Sequence, residues 1–159
     1  MALNIRRVVT GHDAKGRATV AIDEICANVE SKRPNHQSCV VWTTDTAPAD
    51  NSVAFDGARR KVATTCPGGT VFRIIEYSPG VTPRMHRTDS IDYAVVLSGE
   101  VDMQLDDGTE VHLRAGDVLV QRGTIHNWIN RGTAPCVMAF TLIDAKPVEV
   151  GGKMLHATG

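Results

Sequence analysis

Two stretches of this 159-residue chain bring together side chains that can do chemistry. Residues 83–99 read PRMHRTDSIDYAVVLSG, and residues 116–130 read GDVLVQRGTIHNWIN. A neutral imidazole can bind a metal or move a proton near pH 7, and a carboxylate can ligate or act as a base. Alternate side chains of an extended segment share one face. Arg84, His86 and Thr88 therefore fall on one face of the first stretch, with Met85 and Arg87 on the other. If the chain turns near Ser90 and resumes as a strand at Asp92, then Asp92, Ala94 and Val96 share a face again. His126 follows the turn signal Arg122-Gly123 and has the parity of Thr124, Trp128 and Asn130. At this level His86 has three open readings: the remnant of a metal site, a working variant of one, or a wall histidine hydrogen-bonded to Asp92. Arg84 shares the parity of His86. If buried, it needs a carboxylate partner, or it could clamp the carboxylate or enolate of a ligand; a salt bridge at a rim is the plainer alternative. Asp89 reads as a turn residue.

The elements that would position these groups are strands. Val8-Val9, Val40-Val41-Trp42, Val71 to Ile75, Tyr93 to Leu97, Val118 to Val120 and Val137 to Phe140 are short and rich in β-branched residues. Val101, Met103 and Leu105 alternate with Asp102 and Gln104. Turn signals separate the runs, among them Pro67-Gly68-Gly69, Ser98-Gly99, Asp106-Asp107-Gly108 and Arg131-Gly132. Arg6 to Arg17 reads as a hairpin, and Thr43 to Ser52 as a loop. Only Asn51 to Val62 could hold a turn or two of helix, with Asp50 or Ser52 as its N-cap, and Gly57 weakens it. The tail from Lys146 reads as a loosely held strand or an exposed end. Many short strands with almost no helix point to an all-β sandwich or barrel.

Bulk properties exclude several classes. The length fits one domain. The formal charge is −1, and no basic stripe of the kind that binds nucleic acid is visible. No apolar run is long enough to span a bilayer as a helix. The segment MALNIRRVV lacks the order of features of a signal peptide, and the four cysteines are scattered, so reduced thiols in a cytoplasmic protein are expected. Cys39 and Cys136 lie in apolar runs and read as core residues. His12, His36, His112 and His156 have no comparable neighbourhood, and Trp128 and Met103 read as wall or core.

The spacing of the two stretches resembles the motifs of the cupin superfamily, a small double-sheet β-barrel of the jelly-roll kind. The first motif of that family runs glycine, five residues, His, one residue, His, three or four residues, Glu, six residues, glycine. Gly80, His86, Thr88, Asp92 and Gly99 fall in that register. The second motif is matched by Gly116, Gly123, His126 and Asn130, with Gln121 where proline is usual and the first gap one residue shorter. The resemblance covers Gly80 to Asn130 and implies a barrel over residues 70–145. Residues 1–69 would supply extra N-terminal strands and loops packing on the barrel or a partner subunit, and 146–159 a tail. It also implies a homodimer, for which a free edge strand gives a physical motive. The metal set of the family is three histidines and a glutamate. With Thr88 and Asp92 at two of those positions, His86, Asp92 and His126 remain, a set suited to a divalent Fe, Mn, Ni or Zn ion. Asp92 is one methylene shorter than glutamate, and Thr88 is at best a weak ligand or a partner for bound water.

Two functions follow from the resemblance. One is a metal-dependent enzyme (decarboxylase, isomerase or dioxygenase) acting on a small organic acid or an aromatic, polyketide-like compound, with Asp92 as general base if it is free of the metal and Arg84 as a clamp. The other is a metal-free small-molecule-binding barrel, a sensor or carrier without catalysis. A structural dimer with a vestigial site is a third option.

Overall fold

Short β-branched runs become strands wherever turn residues bound them, and the computed structural model describes residues 3–159 on that plan. The strands are β1 (Arg6–His12), β2 (Ala18–Ile25), β3 (Val29–Arg33), β4 (His36–Thr44), β5 (Thr70–Tyr77), β6 (Ser90–Ser98) and β7 (Glu100–Leu105). They continue as β8 (Glu110–Arg114), β9 (Val118–Arg122), β10 (His126–Ile129), β11 (Cys136–Asp144), β12 (Val148–Val150) and β13 (Lys153–Leu155). A six-stranded sheet has the order β3-β4-β5-β11-β6-β9, and a three-stranded sheet the order β10-β7-β8. β11 sits between β5 and β6, so the chain crosses between sheets and does not simply meander, as in a jelly roll. Among the described residues no helix is long and apolar enough to cross a membrane.

The two sheets close on one core. Val71, Val96, Met138 and Phe140 from the larger sheet meet Val101, Met103, Leu113 and Trp128 from the smaller one. A second cluster lies on the other face of the larger sheet, where Leu3 and Cys26 cover Cys39 and Ile74. Cys39 and Cys136 are fully buried, and all four cysteines are free. The motif glycines make the corners. Gly99 turns β6 into β7 with φ +73, and a Cβ there would lie 2.4 Å from the Pro135 carbonyl oxygen.

The N-terminal hairpin β1–β2 pairs only with itself. Arg7 fastens it to the body of the chain: its Nη1 and Nη2 donate to Asp56 at 2.6 and 2.9 Å, and Nη2 also to Glu24. Of the turn or two of helix that Asn51 to Val62 could hold, one short turn forms next to this ion pair. Only a 3-10 turn, Gly57–Arg59, is present, capped by Asp56, whose Oδ1 accepts from the Ala58 N–H. Gly57 packs so closely on β4 that a Cβ would lie 2.5 Å from the Thr43 carbonyl oxygen, which leaves no room for a helical turn around it. Asp50 instead accepts from the Ser52 N–H in a local turn. The C-terminal segment is tied down more firmly than its composition implies. It forms the hairpin β12–β13, and Arg87 and Thr158 then exchange backbone hydrogen bonds of 2.9 and 3.1 Å. The expectation about a leader at MALNIRRVV involves Met1 and Ala2, which lie outside the described residues.

Candidate active-site cavity

His86 and His126 stand opposite each other although forty positions separate them. The backbone N–H of each donates to the carbonyl of the other, at 3.0 and 2.9 Å, forming an antiparallel bridge at the end of β10. The rings lie 4.3 Å apart between centroids. Each Nδ1 is 3.0 Å from a backbone carbonyl two residues back, Arg84 for one and Thr124 for the other. A carbonyl only accepts, so each ring carries its proton on Nδ1 and leaves the Nε2 lone pair free. Burial, followed by the facing charge of His126, pushes His86 down to about 4, and burial lowers His126 as well. Both rings are therefore neutral at pH 7.

Asp92 belongs to the opposite wall. It projects inward from β6 between Ser90 and Ala94, all three buried. Ser90 Oγ lies 2.5 Å from Asp92 Oδ1 and 2.8 Å from Thr88 Oγ1. Ser90 has one hydroxyl proton, which goes to the carboxylate, so Thr88 donates to Ser90 in turn. Burial raises Asp92 to about 6, against the opposing effects of the Ser90 hydrogen bond and the Arg73 charge. Thr88, in place of the usual second histidine, thus feeds a hydroxyl chain that ends on Asp92. Gln121, in place of the usual proline, is paired with Asp92 across β6 and β9, and its Oε1 is buried without a donor.

The structure brings His86 and His126 together and keeps Asp92 apart from them, held by its hydroxyl chain. Among the described residues no three of His, Cys, Asp and Glu group so as to hold an ion. Two imidazoles fall short of the three protein ligands of a catalytic metal centre, so the residues present do not fit a resident metal. Arg84 forms no ion pair with a carboxylate side chain among the described residues. Its Nη2 donates to the Gly159 carbonyl at 2.6 Å, and its backbone N–H to Asn127 Oδ1 at 2.9 Å. Asn130 is a structural member of the second motif: its Nδ2 donates to the carbonyls of Tyr77 and Ala134, at 2.8 and 2.9 Å.

These groups line one cavity inside the barrel. Its volume is about 90 Å³. That is room for about three waters at their share of liquid volume. Trp128 stacks on Tyr77 at 5.6 Å and meets Phe140 edge-on at 5.6 Å, making an aromatic wall that continues to His126. Two lining residues escape the sequence reading. His36, at the start of β4, packs edge-on against Tyr77, and burial lowers it to about 4. Arg73, in β5, borders the cavity from inside the sheet. Their inward parity, His36 with Ser38 and Arg73 with Val71 and Tyr77, was the available signal.

The Cupin domain profile matches residues 73–143, which contain both histidines of the bridge and Asp92. The chain is 41% identical to the phomopsin biosynthesis cluster protein C' of Diaporthe leptostromiformis over 159 residues, covering 94% of this chain and 83% of that protein. It is 36% identical to the cupin-domain-containing oxidoreductase fogC of Aspergillus ruber, covering 94% and 77%. The crystal structure of an RmlC-like cupin from Shewanella frigidimarina superimposes with a TM-score of 0.50 at 14% identity, over 74% of this chain and 84% of that one. At that identity the likeness is one of fold.

Proposed function

The chain belongs to the cupin family, and we propose that it is an oxidoreductase-like cupin that transforms a small aromatic or polyketide-like molecule inside the barrel, with Asp92 as the group that takes up the proton. The observation that carries this reading is the pairing, in one cavity, of a carboxyl raised to about 6 with the bridged imidazoles, His86 lowered to about 4 and His126 lowered as well. A base works best when its pKa lies near the working pH, and buried, neutral rings can accept a hydrogen bond without competing for the proton. The hydroxyl chain Thr88–Ser90 fixes the Asp92 carboxylate, leaving Oδ2 for a substrate C–H or O–H. His86 and His126 would orient a substrate hydroxyl through their Nε2 lone pairs. The aromatic wall supplies the apolar bed for a ring. Relatives named as oxidoreductases and as biosynthesis-cluster proteins support an oxidoreductase-like cupin, and the proton step is read from the cavity alone. In the same proposal, the chain forms a homodimer, and the self-paired hairpin β1–β2 is the segment that would meet the second copy.

The test is solvent exchange. Small aromatic β-dicarbonyl compounds are incubated with the protein in D₂O, and deuterium incorporation beside the carbonyl is followed by proton NMR. The wild type should accelerate exchange of at least one compound, and Asp92→Asn should lose that acceleration while still binding it. Equal acceleration by both proteins would remove Asp92 from the role.

A further inference from the structure

The barrel contains a buried cation with no ion-pair partner among the described residues. Arg73 is 8% exposed. Of its five guanidinium N–H bonds, the two on Nη2 go to the carbonyls of Ala63 and Thr64, at 2.9 and 3.0 Å. Nε is buried without a partner. None of the ion pairs among the described residues includes Arg73. The chain treats its other deeply buried arginine differently. Arg7 is 4% exposed and is held by two carboxylates, Asp56 and Glu24. A buried charge without its counterion is costly, and the usual remedy is the one Arg7 shows.

Arg73 also occupies a junction. It borders the cavity of His86 and His126, and equally a second cleft between β3, β4 and the segment 58–62. That cleft carries Lys32, Arg59, Arg60 and Lys61 against Glu30, and although Lys32, Arg59 and Arg60 are paired with Glu30, Asp56 and Asp45, Lys61 leaves the approach to Arg73 positive on balance. Inside the cavity, Arg73 is the register neighbour of Phe140, which meets Trp128, which meets His126. An anion seated on Arg73 would therefore have its organic body on the aromatic wall and its far end at the bridged histidines. Asp92 projects from β6, two strands from β5, and acts on Arg73 only at a distance.

We propose that Arg73 is the anchor for a carboxylate-bearing substrate, and that the buried guanidinium sets the preference of the cavity for an organic acid over its neutral counterpart. This rests on the cavity being the working site. The guanidinium is held rigid by two carbonyls, so little order is lost when the anion arrives. Arg84, already engaged by the Gly159 carbonyl, is not needed for the role.

The test compares benzoate with benzamide, a neutral molecule of nearly the same shape. Binding is measured by calorimetry at pH 7 in low salt, and occupancy of the cavity is read from the Trp128 indole N–H resonance. Benzoate should bind the wild type about tenfold or more tightly than benzamide, the step expected when a buried charged donor gains or lacks its acceptor. Arg73→Met should fold, melt higher because the unpaired cation is gone, and show no preference between the two. If that variant does not fold, Arg73→Lys carries the test, because it keeps the charge but loses the fixed fork; the preference should shrink. Two probes that shift Trp128 with equal affinity in the wild type would overturn the role of Arg73 and leave the cavity reading intact. Failure of both to move Trp128 would overturn the cavity reading as well.

Discussion

Replacing Asp92 by asparagine should change how stability depends on pH. The Asp92 carboxyl titrates at about 6 in the folded chain against an ordinary 3.8. The folded state therefore holds this proton across a window in which the unfolded chain has released it. Unfolding releases a proton between those values, so the contribution of Asp92 to stability falls as pH rises from 3.8 to 6 and stays reduced above. A shift of roughly two pH units amounts to about 3 kcal/mol. Asp92→Asn has no charge to bury and keeps an oxygen for the Ser90 hydroxyl. Its stability relative to wild type should thus improve as pH rises, by about 2 kcal/mol between pH 4.5 and 7.5 because part of the window lies below that range. Urea unfolding followed by circular dichroism, with a chelator present, measures both proteins at each pH. Parallel pH profiles would refute the reasoning, since they would mean that Asp92 is ionised in the folded barrel at little cost.

Three further outcomes follow from other groups. His36 and His86 are both lowered to about 4 from 6.5, so the unfolded chain binds more protons between those values and stability falls as pH drops from 6.5 to 4. His86→Gln should remove about 2 kcal/mol of that acid-side loss, a figure reduced because the rings face an open cavity; an unchanged acid limb in urea titrations would contradict it. Asp56→Ala leaves the buried Arg7 with Glu24 alone and uncaps the 3-10 turn, and should cost about 3 kcal/mol by thermal or urea unfolding. With two protein imidazoles and no third ligand, divalent Fe, Mn, Ni or Zn should wash out on dialysis, and elemental analysis finding near one ion per chain afterwards would contradict the ligand count.

The barrel was legible because its strands are short β-branched runs closed by glycine corners, and both signals are local. The bridged histidines were legible for a different reason: their spacing from Gly80 and Gly123 is a family pattern. What parity could not supply is which sheet a face belongs to. His86 and His126 meet at the edge of the three-stranded sheet, whereas Asp92 projects from the six-stranded one, so three residues of suitable type and parity do not become three ligands. Arg73 was hidden inside VFRIIEY, an apolar run in which a lone arginine looks like the solvent-facing residue. His36 sits at the first position of β4, where no run of alternation precedes it, and a register shift between Val40 and Trp42 breaks the parity beyond it. Asn51 to Val62 holds one 3-10 turn, and its place at Gly57–Arg59 is set beside two long-range contacts, Arg7 to Asp56 and Gly57 to Thr43, that local propensity does not contain.

The central claim is a proton acceptor poised near neutrality beside neutral histidines. It is tested most directly by NMR titration of the ¹³C-labelled Asp92 carboxyl, together with ¹⁵N shifts of the His86 and His126 rings. The account predicts an Asp92 midpoint near 6, a His86 ring that stays neutral and protonated on Nδ1 from pH 8 down to about 5, and a His126 midpoint below the ordinary 6.5. An Asp92 midpoint near 4, with histidines titrating near 6.5, would contradict it.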